Sequence, residues 1–168
     1  MDRQEILAHF PDVGLQTHSM QTMRYYTDLV WGGVVVVNMF FTSCGDVCPR
    51  SMGTLKVLRE LLQGPYERVR MLSITLDPGT DTPDVLSKYA KDLGVSGNWW
   101  LLRASQPDTD RIRRGLGFTS KDRVRDANIM KHVGLVVIGN ERGRWITTQI
   151  LTRPQILAEK VRKVMERV

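Results

Sequence analysis

The chain has 168 residues, 42% of them apolar and 25% charged, a composition that builds one hydrophobic core without a disulfide scaffold. Its only two cysteines, Cys44 and Cys48, sit within one short motif, which argues against a stapled extracellular fold and for a redox or metal pair. The formal charge of +6 raises the question of nucleic acid, but the basic stretch 103–131 holds a single aromatic, Phe118, and no nucleic-acid motif. That stretch reads as a solvated basic face, or as a surface for an acidic protein or an anionic membrane.

Residues 1–5 are polar and carry no signal-peptide pattern, and no apolar run is long enough to cross a bilayer, so the chain as given is expected to be soluble. The same start would also suit a chain separated from an export signal or anchor. Residues 1–22, with Phe10, Val13 and Leu15, read as an N-terminal arm, 23–26 as a short strand, and Gly32-Gly33 as a turn. The run Val34-Val-Val-Val-Asn-Met-Phe40 is β-branched and does not alternate, as expected of a central strand buried on both faces. Next come Cys44-Gly-Asp-Val-Cys48-Pro49 and a helix to Leu62, whose apolar face is Met52, Leu55, Leu58, Leu61 and Leu62. Asp46 is the expected N-cap, and Pro49 is tolerated in the first turn. Unpaired N–H groups and the helix dipole at this turn stabilise thiolates, so low-pKa sulfur is expected. Two small buried hydrophobes would be the bland reading of the same cysteines.

Gly64-Pro65 is expected to end this helix, and 69–76 to form the second main strand. The turn-rich loop Asp77-Pro-Gly-Thr-Asp81-Thr-Pro83 then leads, with Thr82 as N-cap, into a helix striped by Val85, Leu86, Tyr89, Ala90 and Leu93 and closed by Gly94. A strand over 98–104, a helix over 107–116, a charged surface loop over 119–128, a hairpin of 135–138 with 145–148, and a helix over 154–168 complete the chain. Strands alternating with helices and a closing hairpin predict an α/β protein with a thioredoxin-like three-layer fold, a mixed central sheet flanked by helices, and one domain over 1–168.

His9 and His18 have no donor at ligand spacing and read as structural or exposed. His132 stands just ahead of the strand 135–138, where such a sheet would bring it near the thiol turn. A lone loop histidine is more often a surface residue. As a donor, it would make with Cys44 and Cys48 a soft three-ligand set that suits copper better than structural zinc, which generally takes four protein ligands.

The combination of Cys44-x-x-x-Cys48-Pro49, Asp77-Pro-x-x-Asp81-Thr-Pro83 and a histidine ahead of the late strand ending in Ile138-Gly-Asn-Glu141 resembles the Sco/SenC family of copper-binding, thioredoxin-like proteins. The resemblance implies that Cys44, Cys48 and His132 bind one copper ion per chain, Cu(I) or Cu(II), with Asp77 and Asp81 shaping the loop beside them. It also implies a monomeric metallochaperone serving a copper acceptor such as cytochrome c oxidase subunit II at its binuclear copper site. An N-terminal membrane tether outside this chain would face the bacterial periplasm or the mitochondrial intermembrane space. Two features depart from the family's pattern. Lys131 stands where an acidic residue is common, and a cation there would disfavour the imidazolium and leave the ring free to coordinate. Met20 occupies a turn where glycine is common.

A second reading of the same cysteines is a thiol–disulfide oxidoreductase, with Cys44 and Cys48 as the redox pair that reduces the acceptor's cysteines. Peroxide reduction ranks last. Thr42 precedes Cys44 by two residues, but the Pro-x-x-x-Thr-x-x-Cys signature is absent.

Overall fold

The computed structural model describes residues 2–64 and 68–166. Seven strands form one mixed sheet in the order β2-β1-β5-β4-β3-β6-β7, and they comprise β1 (Gly14–Thr17), β2 (Thr22–Arg24), β3 (Val34–Phe40), β4 (Val69–Thr75), β5 (Trp99–Arg103), β6 (Leu135–Asn140) and β7 (Trp145–Gln149). Helices α1 (Arg3–His9), α2 (Val47–Leu61), α3 (Pro83–Leu93), α4 (Gln106–Gly115), α5 (Arg123–Ala127) and α6 (Pro154–Met165) flank it. This is the thioredoxin-like α/β architecture expected.

All seven residues of β3 are buried. The strand pairs in parallel with β4, from Val34 opposite Val69 to Phe40 opposite Thr75, and antiparallel with β6, from Val34 opposite Asn140 to Asn38 opposite Val136. Covered on both faces and paired on both edges, β3 has no use for alternation, which explains its unbroken Val run. Its one polar residue, Asn38, is matched inside the core. Ser73 Oγ on β4 donates to Asn38 Oδ1 at 2.6 Å and receives the Trp99 indole N–H at 3.0 Å. Each buried Val or Leu of this core contributes roughly 1.5–3 kcal/mol, while the Asn38–Ser73–Trp99 chain holds β3, β4 and β5 in register.

The segment read as an arm folds instead into structure. Asp2 and Glu5 form a reciprocal capping box that starts α1. Phe10, Val13 and Leu15 are buried, and β1 and β2 extend the sheet through pairing of β1 with β5. The turn between them runs through Met20, whose φ of 63° is the left-handed conformation that favours glycine. The expected strand 23–26 is cut short at Arg24, because residues 25–30 close into a π-helical turn whose Tyr25, Leu29 and Val30 enter the core. The charged run 119–128, read as loop, contains α5, capped by the Asp122 carboxylate on the N–H groups of Val124 and Arg125. Gly64 takes the left-handed conformation after α2, Pro65 lies outside the described residues, and α6 is described to Met165. Among the described residues, no helix is long and apolar enough to cross a membrane.

Candidate metal and redox site

Cys44 follows β3 in a tight turn in which its N–H donates to Phe41 O at 3.2 Å, and Cys48 lies in the first turn of α2. Both thiols are free and buried, with 5% of Cys44 and 1% of Cys48 exposed. The expected cap is not made. Asp46 turns outward to an ion pair with Arg50 at 3.2 Å, and the Cys44 sulfur takes the capping role, accepting the Cys48 backbone N–H at 3.3 Å. The sulfur wins because Cys44 stands at the right remove to reach an otherwise unsatisfied N–H of the first turn.

At Cys48 the expectation of low-pKa sulfur is corrected. Burial, together with the hydrogen bond to Cys44 and the nearby Cys44 and Asp81 charges, pushes its thiol up to about 12, against a partial offset from the Phe41 N–H. The pair is therefore asymmetric, with Cys44 accepting a backbone N–H and Cys48, the more deeply buried, having its thiol pushed up.

Asp81 organises this turn. Its carboxylate, 1% exposed, accepts the Thr42 N–H at 3.1 Å, the Thr42 hydroxyl, and the Thr75 hydroxyl at 2.6 Å. Thr42 lies just ahead of Cys44 and Thr75 ends β4, so one carboxylate ties the thiol turn to the neighbouring strand. Asp77 acts through its backbone, donating its N–H to Thr75 Oγ1 and accepting from the N–H groups of Thr80 and Asp81. The proline-rich loop is thus both a helix-leading turn, with Thr82 capping α3, and a brace for the thiols. Tyr89, read from sequence only as part of an apolar stripe, belongs to the same neighbourhood. Burial first, then Cys48, Cys44 and Asp81, push its phenol up to about 12. Helical periodicity had no means of distinguishing a phenol within electrostatic reach of the thiols from an ordinary core aromatic.

His132 ends a short 3₁₀ turn, Ile129–His132, that leads into β6, and is 3% exposed. Its Nε2–H donates to the Asp126 carbonyl at 2.8 Å. The cation beside the ring is not the exposed Lys131 but the buried Arg113 of α4, whose Nη1 lies 3.4 Å from Nε2. Arg113 grips the Asp126 carboxylate through two bonds of 2.7 and 3.0 Å and donates to Phe118 O at 2.8 Å. With Arg113 and the Ser120 N–H on it, the Asp126 carboxyl is held well below the usual carboxylate range. Among the described residues, no three His, Cys, Asp or Glu side chains stand close enough together to hold a metal ion. The structure therefore pairs Cys44 with Cys48 and leaves His132 outside a ready-made cluster with them. His9 and His18 are structural, as expected. His9 Nδ1 bonds Gly115 O at 2.9 Å and its ring packs on Trp145, while His18 Nδ1 accepts the Leu101 N–H at 3.2 Å and burial lowers its pKa.

Two adjacent soft sulfurs at the head of a helix, on a mixed sheet with an antiparallel β6, define a thioredoxin-like dithiol protein. The SCO1/SenC family pattern matches residues 18–166, and the chain belongs to that family. A SCO2-like protein of Rickettsia felis is 33% identical over 79 residues, 44% of this chain and 38% of that protein. Matches to three curated SCO2-like proteins of Rickettsia span between 38% and 60% of those proteins' lengths. Among solved structures, Arabidopsis thaliana ScoI with copper bound superposes with a TM-score of 0.73 at 15% identity, covering 96% of this chain and all of that one. BsSco, a Sco family cytochrome c oxidase assembly protein described as having a disulfide switch, gives a TM-score of 0.73 at 20% identity and 91% coverage of each chain.

Proposed function

We propose that this chain is a copper metallochaperone that binds one copper ion through the Cys44 and Cys48 thiolates and a His132 imidazole nitrogen. It would pass the ion to an acceptor such as cytochrome c oxidase subunit II. The observation that carries this reading is the free dithiol itself, two sulfurs brought together at a helix start, where Cys44 Sγ accepts the Cys48 N–H, and braced by Asp81, in a family whose solved members include copper-bound forms. Thiolate sulfur with imidazole is a donor set suited to Cu(I) and able to hold Cu(II). Copper is the cargo, released as acceptor ligands replace the three donors one at a time. The exposed Lys121, Arg123, Arg125 and Lys131 on the segment carrying His132 suit an acidic acceptor surface, since Asp122 is spent on capping α5 and Asp126 on Arg113. We place this work at the periplasmic face of the inner membrane, or in the mitochondrial intermembrane space, with a monomer tethered by a segment outside this chain.

The test is an anaerobic Cu(I) titration of the reduced protein and of His132→Ala against a competing chelator, with X-ray absorption to count donors. One tightly bound ion with two sulfurs and one nitrogen, lost or weakened in the variant, is the expected result. Equal affinity in the two proteins removes His132 from the ligand set. Binding no tighter than a simple dithiol in either removes the copper role.

The asymmetry of the thiols favours a second activity at the same site, reduction of the acceptor's disulfide. The Cys44 thiolate attacks one partner sulfur, forming a mixed disulfide and expelling the other as a thiolate. Cys48, giving up its proton, then attacks Cys44 Sγ, closing the Cys44–Cys48 disulfide and releasing the second partner thiol. His132→Ala is expected to retain this exchange. Cys48→Ser is expected to trap the mixed disulfide, and failure to trap it would reverse the assignment of the two sulfurs.

A further inference from the structure

The group that fixes the imidazole is the most developed polar cluster outside the thiol turn, and the copper reading alone makes no use of it. Arg113 is drawn from the last turn of α4, and only 6% of its side chain is exposed. It is nevertheless held on several sides, by the Asp126 carboxylate, by Phe118 O and by an ion pair to Asp110 at 3.9 Å. A planar guanidinium with five fixed donors suits this two-point grip on a carboxylate, and lysine does not reproduce it. The Ser120 N–H reinforces the same carboxylate at 2.9 Å. The outcome is a rigid position for the Asp126 backbone, and it is the Asp126 carbonyl that receives the His132 Nε2–H.

The Asp126 carbonyl only accepts, and at 2.8 Å it is closer to Nε2 than the Arg113 Nη1 at 3.4 Å, whose donor would ask for the opposite tautomer, so the shorter bond places the ring proton on Nε2 and, in the neutral ring, leaves the lone pair on Nδ1. Histidines that ligate metals characteristically donate their other ring N–H to a carbonyl or carboxylate, which fixes tautomer and orientation. His132 has that arrangement. Asp126 and His132 lie six residues apart on one segment, so the carbonyl and the ring it fixes are carried by the same stretch of chain.

We propose that Arg113 and Asp126 are positioning residues for copper binding, Asp126 through its carbonyl on Nε2–H and Arg113 by holding Asp126, so that His132 presents Nδ1 as its donor atom. The proposal rests on His132 being a ligand. Loss of such supporting contacts typically weakens metal binding by roughly 10–100-fold.

The experiment combines the ring tautomer, read by ¹⁵N NMR of histidine-labelled reduced protein, with competitive Cu(I) titration of the parent, Arg113→Lys, Asp126→Asn and His132→Ala. The Nε2–H tautomer is expected in the parent. Arg113→Lys is expected to show a tautomer mixture and about 10–100-fold weaker copper binding, with Asp126→Asn intermediate because its amide oxygen still accepts from Arg113. A dominant Nδ1–H tautomer in the parent overturns the assignment of the donor atom, whatever the variants do. Parent-like affinity in both positioning variants, beside a weakened His132→Ala, overturns the positioning role alone. Parent-like affinity in His132→Ala overturns the ligand reading beneath it. If Arg113→Lys does not fold, the parent tautomer and Asp126→Asn still decide.

Discussion

Replacing Asp81 is the most direct way to test whether one carboxylate braces the thiol turn. Alanine at this position removes the acceptor of three hydrogen bonds, from the Thr42 N–H, the Thr42 hydroxyl and the Thr75 hydroxyl. A hydrogen bond to a charged group contributes ~1.5–3 kcal/mol, and a buried donor left unpaired costs a comparable amount. Three such bonds set an upper bound of ~9 kcal/mol. Two effects reduce it: the carboxylate no longer has to be kept out of water, and a water molecule can enter the space left behind to meet some of the donors. A net loss of ~3–4 kcal/mol is expected, in the upper tail of single substitutions. Urea unfolding of the reduced protein measures it. With an m-value of about 2 kcal/mol/M, the midpoint should fall by roughly 1.5–2 M. Asp77→Ala is the matched control, since Asp77 serves through its backbone, and it should change stability by no more than ~0.5 kcal/mol. A midpoint for Asp81→Ala within about 0.5 M of the parent, or an equal loss in Asp77→Ala, would refute the reasoning.

Further outcomes follow from particular contacts. Cys48 is held near 12, whereas an unfolded thiol titrates near ~8.5. Between those values the unfolded chain releases the proton and the folded one keeps it, so stability is fully present below the lower value and falls as pH rises, by of order 1 kcal/mol per pH unit. Reduced Cys48→Ala should show a shallower decline above pH ~9, and an identical slope would contradict the raised thiol. Gly115→Ala is expected to destabilise by ~2–3 kcal/mol despite alanine's better helix propensity, because a Cβ there would lie 2.6 Å from the rigid carbonyls of Ala8 and His9. Thermal unfolding would show it, and a neutral or raised midpoint would mean that α1 yields. Met20→Gly should stabilise by ~0.5–1 kcal/mol, because relief of the left-handed strain at φ 63° exceeds the added freedom of the unfolded chain, and the side chain is 56% exposed. A loss of stability would show that the Met20 side chain contributes more contact than its exposure suggests.

Much of the architecture is legible because it rests on local rules. The unalternating Val34–Phe40 run, the Thr82-Pro83 helix start and the 135–148 hairpin each state their structure within a few residues, and the fold agrees with all three. The N-terminal helix also carries a local signature, the Asp2 to Glu5 capping box, although the scattered apolar residues that follow suit an arm equally well. The left-handed turn at Met20 is the reverse case, a position marked by the residue expected there rather than by the one present.

By itself, the sequence determined that two thiols arrive together at a helix start behind a buried central strand, because four-residue spacing and strand periodicity are properties of the local backbone. Tertiary structure alone decided the rest of the site. Asp46 and Cys44 both stand within reach of the helix start, and only the folded turn chose sulfur as the cap. Asp77 and Asp81 look alike in the chain, and only the approach of Thr42 in the turn after β3 and Thr75 at the end of β4 made one of them the brace. Lys131 adjoins His132 in sequence, yet the cation against the ring is Arg113, nineteen residues away. Burial, hydrogen-bond partnership and charge act through space, over a few ångströms, between groups whose separation along the chain carries no information about their contact.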